Sequence, residues 1–123
     1  MPPDVRDPDP REARFHRVLP GELTPGKPAY TDTNDRSAIV PVAGEARFRL
    51  RFKATQNGTL KARFLRPGGT EEYTANNPAD VPVTANTETK LDVTDHYGEG
   101  LVKFIFTPSA QPWQVAIADL SHV

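Results

Sequence analysis

Ala46-Arg47-Phe48-Arg49-Leu50-Arg51-Phe52-Lys53-Ala54 runs straight into Thr55-Gln56-Asn57-Gly58-Thr59, then into Leu60-Lys61-Ala62-Arg63-Phe64. In both arms apolar and charged residues alternate strictly, which is the period of a strand with one buried and one wet face. The Gln56-Asn57-Gly58 link carries the residues that tight hairpins favour. A three-residue loop with Gly58 in the left-handed region sets Phe52 opposite Ala62 and Leu50 opposite Phe64, and keeps the apolar face whole. The same register sets Lys53 opposite Lys61 and Arg51 opposite Arg63. Like charges directly opposite are unfavourable, so this predicted basic ladder needs an acidic neighbour.

Outward from this pair, short strand-like segments recur between turn residues. Residues 38–42, 71–74, 81–84, 90–94, 101–107 and 113–120 complete a set of about seven or eight strands, and no long helical period appears. Pro41 marks 38–42 as an edge strand. Residues 101–107 are almost continuously apolar, as expected of a central strand covered on both faces or meeting a partner on its outer one. The expected fold is an all-β antiparallel β-sandwich of jelly-roll or immunoglobulin-like type.

The N-terminal part reads differently. Seven of the thirteen prolines fall at positions 2, 3, 8, 10, 20, 25 and 28. Proline fixes φ and removes an amide donor, which excludes a regular helix or a central strand there, apart from a turn or two over 11–19. The expected division is an extended arm over 1–37 and a sandwich over 38–123. Phe15, Leu19, Leu23 and Tyr30 are the arm's candidate anchors on a partner.

The 123 residues suffice for one domain. There is no cysteine, which excludes disulfides and thiolate metal sites. Net charge is −1, but residues 45–67 hold seven Lys/Arg against one Asp/Glu, whereas 68–123 hold two against eight. The opening residues lack the apolar run of a secretory signal, and 101–106 is too short to cross a bilayer as a helix. The expectation is a soluble protein made in the cytoplasm, with no membrane partner.

No catalytic constellation emerges. The three serines, Ser37, Ser109 and Ser121, lie outside any nucleophile motif. Asp92, Asp95, His96 and Glu99 read as a solvated acidic turn rather than a cation site, and no metal or cofactor is expected. Trp113, the single tryptophan, reads as a core anchor rather than a sugar platform with Tyr73 and Tyr97. The basic ladder of Arg47, Arg49, Arg51, Lys53, Lys61 and Arg63 is the most specific feature. It invites an acidic strand of the same chain (Glu71, Glu88, Asp92 or Asp119) or an acidic protein surface. Nucleic acid fits poorly, because the aromatics point to the other face.

An extended arm, a small sandwich and a basic face form a build that resembles the decoration or cement proteins of tailed-bacteriophage capsids. The resemblance implies a non-catalytic structural protein of the virion that docks on a major capsid or other assembly protein, as a homo-oligomer. The alternative is a carbohydrate- or other ligand-binding sandwich module.

Overall fold

A computed structural model describes residues 16–42, 47–65, 78–93 and 100–122. The strands are β1 (His16–Val18), β2 (Arg36–Pro41), β3 (Phe48–Ala54), β4 (Gly58–Leu65), β5 (Val81–Val83), β6 (Thr89–Val93), β7 (Leu101–Pro108) and β8 (Val115–His122). A single 3-10 turn, Gly21–Leu23, lies between β1 and β2. All pairings are antiparallel, in two four-stranded sheets of order β1-β8-β3-β6 and β2-β7-β4-β5. The chain thus folds as one long ribbon, β1 on β8, β2 on β7, β3 on β6 and β4 on β5. Wrapped on itself, this ribbon is the jelly roll of the two sandwich types expected.

Alternation decides the interior. Phe48, Leu50, Phe52 and Ala54 of β3 face Leu60, Ala62 and Phe64 of β4 and Val102, Phe104 and Phe106 of β7 across the gap, and all are buried. Each large side chain so buried contributes roughly 1.5–3 kcal/mol. On β8 the register slips between Lys53 and Ala54, so that Ala54 pairs with Val115, and Val115 and Ala118 are both buried. Rings link the layers: Phe52 lies 5.1 Å from Phe106, Phe106 lies 5.0 Å from Trp113, and Trp113 lies 4.9 Å from Tyr30.

The expected hairpin between 46–54 and 60–64 does not form. β3 and β4 belong to opposite sheets, and 55–57 cross from one to the other. Asn57 holds this crossover, its Oδ1 accepting the Ala85 amide (2.7 Å) and its carbonyl accepting the Ser109 amide (2.8 Å). Gly58 has no positive φ, contrary to expectation. It is required by close approach, because a Cβ there would meet the Phe106 ring at 2.6 Å.

The boundary at residue 37 also moves. Residues 16–18 are a strand on β8, where a helical turn was expected; 11–15 lie outside the described residues. Leu19 and Leu23 are wholly buried in the core, and Tyr30 exchanges two backbone hydrogen bonds with Trp113 (2.9 and 3.1 Å). Proline bars regular structure, not burial, so the segment packs across the sandwich as an irregular strap. Among the described residues no helix is long and apolar enough to cross a membrane.

Candidate functional site

Among the described residues, the outer sheet faces and the strap are surfaces on which a partner could act. The predicted basic residues divide between these faces. Arg49, Arg51 and Lys53 project from β3 on the β1-β8-β3-β6 sheet, with Arg47 exposed just before them. Lys61 and Arg63 project from β4 on the opposite side of the molecule. Arg51 is therefore not opposite Arg63, nor Lys53 opposite Lys61. The ladder was one surface only on the assumption that β3 and β4 pair.

On the first face, Arg49 grips Asp92 of β6 with a fork, Nε to Oδ1 at 2.6 Å and Nη2 to Oδ2 at 3.0 Å. The guanidinium holds the Asp92 carboxyl below the usual carboxylate range. Arg51 stands between Asp119 of β8 and Lys90 of β6, and Lys53 is level with Ile117. Neutralisation from within the chain, through Asp92, thus meets part of the ladder.

The second face has another character. Its outward positions are Ser37, Ile39 and Pro41 on β2, Leu101, Lys103 and Ile105 on β7, and Lys61 and Arg63 on β4. The registers place Ile39 level with Lys103 and Arg63, and Ile105 level with Ser37 and Lys61. Ile39 is 44% exposed, one of two large hydrophobic side chains so exposed among the described residues. Arg63 pairs with Asp80 (3.0 Å). The near-continuous apolar run of β7 is explained by this: alternate residues fill the core, and the others lie on a half-buried outer surface.

Of the expected arm anchors, Leu19 and Leu23 are inside the core and offer a partner nothing, while Phe15 lies outside the described residues. Tyr30 belongs to a polar clamp instead. Its hydroxyl donates to the Glu22 carbonyl (2.8 Å), and its ring lies 4.3 Å beneath the Arg36 guanidinium. Arg36 pairs with Glu22 (3.0 Å) and Asp32 (2.8 Å), and its buried Nε has no acceptor among the described residues. The Ser37 amide and then Arg36 hold the Glu22 carboxyl below its ordinary range, while burial raises the Tyr30 hydroxyl. Trp113 is 1% exposed and donates from Nε1 to the Asp32 carbonyl (3.1 Å), so it forms no sugar platform. Glu71, Tyr73, Asp95, His96, Tyr97 and Glu99 lie outside the described residues.

The contribution of Ile39, Lys103 and Ile105 was not read from sequence. Outward-facing aliphatics on β2 and β7 become neighbours of Lys61 and Arg63 only through the order of strands. Comparison of the chain with protein-family models, with curated proteins and with solved structures finds no match.

Proposed function

We propose that the chain is a non-catalytic structural module that docks on a larger protein assembly through the outer face of the β2-β7-β4-β5 sheet, in the manner of capsid decoration or cement proteins. The observation that carries the reading is the pattern of that face, where Ile39 stands level with Lys103 and Arg63, and Ile105 level with Lys61. Aliphatic area among cations complements a protein surface that sets carboxylates around an apolar patch. It serves nucleic acid poorly, since no aromatic side chain lies among these positions to stack on bases. The jelly roll itself is neutral, being shared by capsid and carbohydrate-binding domains, so the reading rests on the face and not on the fold.

Sedimentation of native source material through a density gradient, with this chain followed by mass spectrometry, tests the reading. Co-migration with virion-sized particles, lost on Ile39→Asp with Lys61→Glu while the variant keeps the wild-type melting temperature, is the expected result. Recovery of the wild-type chain only in the slow fraction overturns it.

A further inference from the structure

Two four-stranded sheets have four edges, and among the described residues three of them are short or guarded. β1 and β5 are three residues each, and β5 carries Pro82 at its centre. β2 is longer but guarded. The Val42 amide donates to the Gly100 carbonyl, so Arg36, Ala38 and Val40 turn their amides to β7, and Ser37, Ile39 and Pro41 turn theirs outward. The Ser37 amide is taken by Glu22 Oε1 (3.2 Å) and Pro41 has none, which leaves Ile39 alone between two blocks. Only β6, five residues without proline, has β3 on one side and no strand on the other among the described residues.

The charges of β6 are self-complementary in one register. Lys90 and Asp92 are exposed on its outer face and flank Leu91. An antiparallel two-fold centred on Leu91 sets each Lys90 against the Asp92 of the other copy, with Leu91 against Leu91 and Thr89 against Val93 on the inner face. A two-fold centred on residue 90 or 92 sets like charges together instead. The complementary register also relieves a conflict within the chain, since Lys90 is directly opposite Arg51. A second copy continues the row from Asp119 through Arg51 and Lys90 to its own Asp92. We infer that β6 is the edge at which a second copy of this chain pairs, joining two β1-β8-β3-β6 sheets into one of eight strands.

Five residues make a small contact, so the dimer forms at micromolar concentrations and above. Sedimentation equilibrium of the full chain up to about 100 μM should show a dimer. Reversing Lys90→Glu replaces two attractions by two repulsions and weakens it about tenfold or more. Asp92→Lys does the same from the other side, although it also removes the Arg49 fork, so its folding is checked by circular dichroism. Mixing the two variants sets the introduced carboxylate of one against the introduced ammonium of the other, keeps one native Lys90–Asp92 pair, and restores the dimer. If Asp92→Lys fails to fold, Lys90→Glu decides alone, because Lys90 makes no ion pair among the described residues. A wild-type monomer throughout the range, or a dimer indifferent to Lys90→Glu, overturns the inference.

Discussion

The backbone of Gly58 lies against the ring of Phe106, so that a Cβ built on it would sit 2.6 Å from Cζ and closer still to the Thr107 carbonyl. Phe106 is itself wholly buried and packed against the rings of Phe52 and Trp113. Gly→Ala at an accommodating strand position stabilises slightly. Here the added methyl overpacks a closed site, and Gly58→Ala should cost about 1–3 kcal/mol, read by urea denaturation. An unchanged midpoint would mean that the crossover shifts freely.

The strap is core, and substitutions on either side of one boundary show it. Leu19→Ala and Leu23→Ala should each destabilise by about 2–5 kcal/mol. Val18, one residue earlier and 52% exposed, should tolerate Ala within about 0.5 kcal/mol. Equal small effects at all three, measured by thermal melting, would return residues 19–23 to the status of an arm.

Acid should loosen the strap and the β3–β6 pair. Glu22 and Asp92 have folded-state pKa values below their unfolded ones. Their contribution is complete above the unfolded value, about 4, and is lost as pH falls through the lower folded value. Urea midpoints should therefore decline from about pH 5 downward, and Glu22→Gln and Asp92→Asn should each flatten the decline. Both carboxylates are partly exposed, so added salt should shrink the effect. Parallel curves for wild type and variants would assign the acid sensitivity elsewhere.

Glu22 and Pro41 should act together as guards of the β2 edge. Glu22→Ala frees the Ser37 amide, and Pro41→Val supplies an amide where there was none. The double variant presents three successive outward donors, a template for an incoming strand. Light scattering should report a mass above that of the wild type under the same conditions, and identical profiles would show that the edge is closed by other means.

Alternation in 46–54 and 60–64 foretold which side chains are buried, and the structure agrees over 48–54 and 60–64, Ala46 lying outside the described residues. It said nothing about which strand lies beside which. A hairpin and a crossover both send Phe52 and Leu60 inward, and Asn57-Gly58 suits either, once through φ and once through close approach. The sandwich class was therefore legible and the neighbours of Arg51 and Arg63 were not. Proline misled in the opposite direction, since an absent ladder over 19–35 was read as absent burial. The docking face was half legible: Lys61 and Arg63 follow from period alone, while Ile39 and Ile105 join them through pairings 40 or more residues apart in the chain.

The strand order also sets a timetable. Among the described strands β8 comes last in the chain, yet it lies between β1 and β3, and so is the seam of its sheet. Until residues 115–122 are made, β1 has no neighbour and Phe48, Leu50 and Phe52 line a strand lacking one of its two. Contacts this distant in sequence close slowly, and exposed apolar strands invite association meanwhile. The β1-β8-β3-β6 sheet thus closes only after residues 115–122 are available, whereas a chain halted before residue 115 already holds all four strands of the other sheet.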